Sequence, residues 1–168
     1  MRAASISVVP ELPEVETVRR GLEQRFVGRR ITQVEVGRER SVRRTSREEV
    51  IARLTGVQAL QAQRRGKYLL CPLSSGDSVM IHLRMSGQVL IDAVGSIRPP
   101  HSHVVMTLDD GNELRFVDPR TFGEVVVFDP VDAAEVVPEL VNLGQDPIVD
   151  GLTLPELRKI LRSTSRAV

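Results

Sequence analysis

The sequence is poor in cysteine and aromatic residues, and each shortage excludes a class of protein. A single cysteine, Cys71, rules out an internal disulfide and any zinc site built from several cysteines. Five aromatic side chains and no tryptophan among 168 residues require an aliphatic core, which a hydrophobic content of 41% can supply. No apolar run approaches the roughly 18 residues that a membrane helix needs. Residues 1–9 also lack the apolar stretch of a signal peptide. We therefore expect a cytoplasmic protein that does not enter a membrane.

Positive charge is concentrated in the first part of the chain. Residues 1–70 hold 15 basic and 8 acidic side chains, whereas residues 71–168 hold 8 and 14, so a net charge of +1 hides two halves of opposite sign. Only Lys67 and Lys159 are lysines among the 23 basic residues. A basic half suggests a surface that faces a polyanion. Arginine suits bidentate phosphate contacts, although GC-rich coding explains the arginine excess equally well.

Two helices are predicted in the first third of the chain. Apolar residues recur at helical spacing over residues 13–26, and Pro13 suits a first turn, where its missing N–H costs nothing. Ser46 and Glu49 form a capping box that opens a short helix over residues 46–56.

The middle of the chain changes to short apolar segments separated by turn residues. This pattern predicts strands and suggests a β-sandwich or a β-barrel with the helices on its flanks. The predicted strands cover residues 31–36, 57–63, 68–73, 78–85, 87–92, 103–108, 113–118 and 124–129.

The strand pattern stops after Pro130. Residues 131–140 predict a short helix, and a polar linker follows it. Thr153 and Glu156 then form a second capping box, which opens a helix over residues 153–162 with an apolar face. We interpret this helix as the start of a further helical domain; the alternative is a terminal helix packed on the sandwich.

Four motifs carry the functional interpretation. They are P-E-L-P-E-V-E at 10–16, Q-R-R-G-K-Y-L at 63–69, H-L-R-M-S-G at 82–87 and D-P-R-T-F-G at 118–123. Taken singly, they fit a helix start, a surface lysine, a core methionine and a tight turn. In this order and spacing they resemble the N-terminal domain of bacterial formamidopyrimidine-DNA glycosylases over residues 10–162, and the first motif is the most specific of the four.

The resemblance implies a mainly β (α+β) fold, an eight-stranded antiparallel β-sandwich flanked by two helices, over residues 10–135. Residues 136–168 would be a linker and the first helix of a truncated helix–two-turns–helix domain, and residues 1–9 an N-terminal extension. The family's zinc finger would lie in the missing C-terminal region, so we expect no metal or other cofactor in this chain. A partner chain that supplies the missing region is a further expectation.

The activity implied by the resemblance is removal of oxidised purines, 8-oxoguanine and formamidopyrimidines, from damaged double-stranded DNA, followed by strand cleavage. Pro10 would attack the sugar C1′ and form a Schiff base, with Glu11 as the acid–base group. Lys67 would grip a phosphate. Glu14 would orient the N-terminal segment, or would simply be a favourable acid in the first turn of the helix.

The resemblance also implies a set of residues that fill the hole left by an extruded base. Met85 and Phe122 would wedge the duplex, and Arg120 would hydrogen-bond the orphaned base. Thr121 stands where the family often has a second arginine, which predicts that one backbone contact is weakened and that the wedge stays intact.

Four further residues are expected to lie near the DNA backbone. His82 and His101 resemble DNA-contacting histidines of the family, while Arg64 and Arg65 could add to the phosphate grip of Lys67. From the residues alone, His82 is equally a core residue of an apolar strand, His101 a solvated loop residue, and the two arginines plain surface charge.

One departure from the family bears on activity. Pro10 is not the first residue, and inside a chain its nitrogen is a tertiary amide without a free lone pair. We expect translation to begin at codon 9, because GTG is a valine codon that also serves as a bacterial start codon, so that removal of the initiator frees Pro10. The alternatives are a non-catalytic damaged-DNA-binding remnant, an endonuclease VIII-like glycosylase for oxidised pyrimidines, against which Leu12 argues, and a sandwich that binds another acidic partner.

Overall fold

The computed structural model describes residues 9–144, 146 and 151–163. Within them the chain forms five α-helices, two short 3-10 helices at Glu39–Val42 and Pro130–Asp132, and eight strands. The helices are α1 Leu12–Arg25, α2 Arg47–Leu54, α3 Ala133–Val136, α4 Pro138–Val141 and α5 Leu154–Ser163. The strands are β1 Ile31–Val36, β2 Gln63–Arg65, β3 Tyr68–Pro72, β4 Ser78–His82, β5 Gln88–Ala93, β6 Ser102–Leu108, β7 Asn112–Val117 and β8 Glu124–Phe128.

The strands form two four-stranded sheets with the orders β1-β6-β7-β5 and β2-β3-β4-β8. Every pairing is antiparallel. This arrangement confirms the eight-stranded antiparallel sandwich that the resemblance implied. None of the described helices is long and apolar enough to cross a membrane.

One cluster of buried aliphatic and aromatic side chains joins both sheets to α1 and α2. It includes Phe26 at the C-terminal cap of α1, Leu54 of α2, Phe116 of β7 and Val127 of β8, which are all inaccessible to solvent. The sandwich therefore encloses its core between the sheets, and the two early helices close its flank.

A second, smaller cluster explains why β4 and β8 read as continuous apolar runs. Alternate residues of a strand point to opposite faces of its sheet. Val79 and Ile81 belong to the main core, whereas Met80 packs with Val126 and Phe128 of β8 against α3 and α4. The centre of this sheet is thus buried on both faces.

The outer face of the other sheet carries buried charge. Arg115 is fully buried and donates from Nε to the Glu113 carboxylate at 3.0 Å, and it also bonds backbone carbonyls of the loop that joins β5 to β6. Arg98 from that loop forms ion pairs with Glu113 and with Glu35 of β1. These contacts fasten the loop to the sheet.

The prediction of a strand over residues 57–63 is wrong. The N–H of Ile31 donates to the Val57 carbonyl at 2.8 Å, and the N–H of Leu60 donates to the Pro72 carbonyl at 2.8 Å. The segment therefore bonds first beside β1 and then beside β3, which belong to different sheets. A segment that crosses between two sheets cannot stay in register with either, and the eighth strand is instead Gln63–Arg65.

The last helix, α5, begins as its capping box predicts: the N–H and the hydroxyl of Thr153 both donate to the Glu156 carboxylate. Its apolar side chains are exposed by 38–60%, and none of its described residues is buried. The alternative of a helix packed on the sandwich is therefore not what the structure shows. The four residues concerned are Leu154, Leu157, Ile160 and Leu161.

Replacement of Ile81 by alanine should lower the free energy of unfolding by about 2–5 kcal/mol, because this fully buried side chain lies at the centre of the main core. Leu60→Ala is the control, since Leu60 is 55% exposed and its loss should change stability by less than about 0.5 kcal/mol. Urea unfolding measures both. Equal losses in the two variants would contradict the placement of the core.

Candidate functional site

The start of α1 places two predicted catalytic residues against a turn of the second sheet. Pro10 is buried, and Glu11 is the N-cap, whose N–H donates to the Glu14 carboxylate at 3.1 Å. The Glu11 carboxylate lies 2.5 Å from Nζ of Lys67, which follows β2. Both charged groups keep solvent access, with side-chain exposures of 58% for Glu11 and 42% for Lys67. Residues distant in sequence thus form one polar pair beside Pro10, and Glu14 steadies the backbone there.

The predicted phosphate contact of Arg64 needs correction. Its guanidinium is buried, with ion pairs to Asp146 at 2.6 Å and to Glu16 of α1 at 3.2 Å. It also donates to the Gly66 carbonyl at 2.8 Å. Arg64 therefore braces the turn that presents Lys67 against α1. A buried guanidinium paired with two carboxylates has few donors left for a ligand.

Arg65 is exposed, as a phosphate contact would require, and its DNA contact stays a prediction. No signal in the sequence separated it from Arg64, since the two arginines are adjacent. Their opposite orientations follow from the alternation of side chains along β2, whose burial pattern places residue 64 inward and residues 63 and 65 outward.

The predicted wedge residues lie on two turns and keep their apolar surfaces in solvent. Met85 follows β4 and is 39% exposed, while Phe122 precedes β8 and is 40% exposed. The guanidinium of Arg120 lies 5.3 Å from the centre of the Phe122 ring. Exposed apolar side chains of this size, backed by a cation, are able to enter a stack of bases.

Asp118 connects the two turns, and the sequence analysis assigned it no role. Its buried carboxylate accepts hydrogen bonds from the Ser86 hydroxyl at 2.5 Å, from the N–H of Gly123 at 2.7 Å and from the N–H of Arg120 at 3.2 Å. An aspartate that opens a turn and bonds the backbone two residues later is a known local pattern, so the D-P-R-T-F-G motif held that part of the signal. The hydrogen bond from Ser86 joins residues 32 positions apart, and the sequence held no signal for it.

Backbone strain lies next to the predicted contact residues. Arg84, which precedes Met85, has φ 53°, and Thr121, between Arg120 and Phe122, has φ 56°. Non-glycine residues rarely adopt this left-handed region, and a β-branched threonine does so least readily. Such strain persists only where surrounding contacts maintain it. Here the N–H of Thr121 donates to the Asp118 carbonyl at 3.2 Å, and its own carbonyl accepts from Nε of Arg40 at 3.1 Å.

Thr121 was expected to weaken a contact made by an arginine at this position. In the structure its side chain is buried, and its carbonyl is held by Arg40, which lies in the 3-10 helix that follows β1. Arg43, at the end of that helix, donates to the Phe122 carbonyl at 3.3 Å. Two arginines that the sequence analysis did not single out thus support the turn.

The two predicted histidines differ in environment. His82 ends β4, is buried, and stacks on Tyr68 with ring centres 4.2 Å apart. Burial, aided by the nearby charge of Arg84, lowers the pKa of His82 from 6.5 to about 4. His101 is exposed with φ 67°, and its carbonyl accepts from the N–H of Asp118. His82 is therefore a neutral core ring at the base of the Met85 turn, whereas His101 is free to meet a ligand.

No group of three or more histidine, cysteine, aspartate or glutamate side chains among the described residues could hold a metal ion. Cys71 is buried in the main core, where burial raises the pKa of its thiol to about 12. The thiol is therefore unreactive.

Comparison with known proteins shows the same family from sequence and from structure. Residues 9–125 match the family model of the formamidopyrimidine-DNA glycosylase N-terminal domain. The formamidopyrimidine-DNA glycosylase of Herpetosiphon aurantiacus is 42% identical over 154 residues, which cover 91% of this chain and 55% of that protein. That of Salinispora arenicola is 46% identical over 143 residues, which cover 83% of this chain and 49% of that protein.

Among solved structures, the formamidopyrimidine-DNA glycosylase of Lactococcus lactis, bound non-covalently to DNA with an AP site, superposes with a TM-score of 0.82 at 32% identity. The match covers 95% of this chain and 60% of that one. The chain thus spans about half the length of the curated relatives that it matches.

Gly123→Ala should destabilise the protein by about 1–3 kcal/mol through overpacking. A Cβ at Gly123 would lie 2.7 Å from Cζ of Phe116 and 2.8 Å from the His82 carbonyl oxygen. Gly21→Ala is the matched control, because its Cβ would meet nothing within 4 Å and alanine is favoured inside α1. Thermal unfolding should show a lower midpoint only for Gly123→Ala. An unchanged midpoint for Gly123→Ala would mean that this turn does not pack against Phe116 and His82 as described.

The depressed pKa of His82 predicts a pH dependence of stability. Between pH 6.5 and about 4 the unfolded chain binds a proton that the folded protein excludes, so the free energy of unfolding falls as the pH is lowered through this window. His82→Phe keeps a ring against Tyr68 and removes the titration. Urea unfolding should therefore show the variant gaining stability relative to wild type as the pH falls. If the difference in free energy of unfolding between the variant and wild type is constant with pH, His82 is not the group that titrates.

Proposed function

The chain belongs to the formamidopyrimidine-DNA glycosylase family, and on that premise we propose that it carries the catalytic half of a bifunctional DNA glycosylase and AP lyase. The substrates are oxidised purines, 8-oxoguanine and formamidopyrimidines, in double-stranded DNA of the bacterial cytoplasm and nucleoid. The observation that carries the proposal is the contact of Glu11 with Lys67 beside Pro10.

The proposed reaction begins with a free secondary amine at Pro10. Its nitrogen attacks C1′ of the damaged nucleotide, the bond from C1′ to the base breaks, and the base leaves as the neutral molecule by taking the proton that the Pro10 nitrogen loses. Glu11 protonates the sugar ring oxygen as the ring opens, which gives an iminium between Pro10 and C1′. Glu11, now a carboxylate, takes up the C2′ proton as the 3′ phosphate leaves, and loss of the C4′ proton to water then expels the 5′ phosphate.

The polar pair suits this chemistry. Lys67 beside Glu11 can hold a phosphate of the damaged nucleotide, which fixes the sugar near the carboxyl group. Both side chains are reachable from solvent, so DNA can replace their mutual contact. Met85, Arg120 and Phe122 then fill the space left by the extruded base.

The nitrogen of Pro10 is acylated by Val9 in the chain described here, and a tertiary amide cannot attack C1′. The proposed reaction therefore belongs to a form in which Pro10 is the first residue. The same peptide bond favours a second candidate, a non-catalytic protein that binds damaged DNA. Both candidates gain further phosphate contacts from a C-terminal half of the kind that the relatives carry, either in the same polypeptide or in a partner chain.

Borohydride trapping on an abasic-site duplex tests the catalytic proposal. Protein that starts at Pro10 should form a covalent adduct, and peptide mapping should place it on Pro10; protein that starts at Met1 should form none. Glu11→Gln in the first form should still bind and trap abasic DNA, because an abasic sugar opens to its aldehyde without the enzyme and then needs no acid at the ring oxygen. An adduct mapped to Lys67 would contradict the Pro10 mechanism, as would equal trapping by the proteins that start at Pro10 and at Met1.

Binding without trapping would support the second candidate. In that case Lys67→Gln should weaken binding and reduce the salt slope by about 0.9, the value of one phosphate contact. Arg64→Gln should instead unfold the turn that follows β2, since its guanidinium is buried in ion pairs.

A further inference from the structure

A buried carboxylate lies between the two turns that carry the wedge residues. Glu124 is the first residue of β8, two residues after Phe122, and pairs across the sheet with His82, three residues before Met85. Its side chain is fully buried. A buried charge is retained only with strong partners.

The partners of Glu124 are three arginines from two segments, the adjacent Arg43 and Arg44 after the 3-10 helix and Arg84 after β4. Arg44 donates to it from Nε at 2.9 Å and from a terminal nitrogen at 3.0 Å. Arg84 donates from a terminal nitrogen at 3.3 Å, and Nε of Arg43 lies 3.5 Å away. Burial pushes the pKa of Glu124 up, but the bonds from Arg44 and the nearby positive charges outweigh it, so its pKa lies below the ordinary value. The group is therefore an anion among three cations.

Two of these arginines act on the wedge turns directly. Arg84 is itself the residue with φ 53° that sets the direction of Met85. Arg43 donates to the carbonyl of Phe122 at 3.3 Å. Arg44 faces away from the turns and anchors the cluster on α3 and α4 through the Val136 carbonyl and the Glu139 carboxylate.

We propose that Glu124 is a positioning residue that holds the Met85 turn and the Phe122 turn in fixed relation through Arg84 and Arg43. Without its negative charge, the remaining carboxylate of the cluster, Glu139, stays bound to Arg44, and the guanidinium groups of Arg84 and Arg43 lose the counterion that they share. The three guanidinium groups repel one another there, and the two less buried ones, Arg84 and Arg43, turn towards solvent. Each then releases the backbone that it steadies, so the wedge surface loses its preset shape before any DNA arrives.

A matched control exists in the other sheet. Glu113 is also buried, also lies in a strand, and also bridges two arginines, Arg98 and Arg115. It lies on the outer face of its sheet and holds the loop that joins β5 to β6. Glu113→Gln therefore removes the same kind of interaction without touching either wedge turn.

Backbone amide exchange in the free protein tests the proposal without any assumption about activity. Suitable probes are the N–H groups of Gly87 and Thr121, which donate within the two turns to Leu83 and Asp118. Glu124→Gln should speed exchange at both probes at least about tenfold under native conditions, where local opening governs exchange. Amides of β4 and β6 should keep their wild-type rates, and Glu113→Gln should leave both probes unchanged.

Unchanged rates at Gly87 and Thr121, or the same acceleration in Glu113→Gln, would overturn the proposal. Should Glu124→Gln fail to fold, Arg84→Gln removes only the link to the Met85 turn. Amide exchange should become faster at Gly87 and stay at the wild-type rate at Thr121. The same acceleration at both probes would then count against the proposal.

A DNA measurement extends the test and rests on the proposed function. An abasic-site duplex with 2-aminopurine opposite the lesion reports unstacking of that base as a rise in fluorescence. Glu124→Gln should give a rise at saturation that is at least about twofold smaller, while the salt slope changes by less than the ~0.9 of one phosphate contact. If wild-type protein does not bind the duplex, the proposed function fails, and amide exchange still decides the role of Glu124.

Discussion

Three hydrogen bonds to the carboxylate of Asp118 determine where the exposed residues of the candidate site lie. Two come from backbone N–H groups of its own turn and one from the Ser86 hydroxyl on the other turn. A hydrogen bond to a charged group contributes about 1.5–3 kcal/mol, and an unpaired buried donor costs a comparable amount. Because the carboxylate is buried, the two turns cannot separate without leaving such groups unpaired. Met85 and Phe122 are therefore presented by one connected unit.

Sandwich packing makes that unit rigid. The strands that end at the turns, β4 and β8, are buried on both faces and pair along their whole length. Close packing leaves no room for a Cβ at Gly87 or Gly123, where the added atom would lie within 3 Å of neighbouring atoms. The left-handed backbone at Arg84 and Thr121 is tolerated for the same reason. A preset surface that displays apolar side chains would suit the proposed unstacking of bases, since little of the binding energy is then spent on ordering Met85 and Phe122.

Arginines in ion pairs with buried or half-buried carboxylates link the two ends of the candidate site to the fold. Arg64 ties the Lys67 turn to Glu16 of α1, which brings Lys67 to Glu11. At the other end, Arg43 and Arg84 converge on Glu124. In both places arginine side chains are engaged in ion pairs within the protein, and Arg64 is the one that the sequence predicted as a phosphate contact. The basic excess of residues 1–70 therefore overstates the charge that is free to meet an external anion.

The sequence by itself determined the two early helices and seven of the eight strands, because each depends on local periodicity, capping and turn chemistry, whereas the family followed from the resemblance of four motifs. The sequence also predicts site roles for Glu11, Lys67, Met85, Arg120 and Phe122 from short motifs, and those roles stay predictions. The tertiary structure alone decided which neighbouring arginine points inward, that residues 57–63 cross between the sheets, and that Asp118 and Glu124 join turns from different strands. These features depend on contacts between residues tens of positions apart, and no local pattern encodes such contacts.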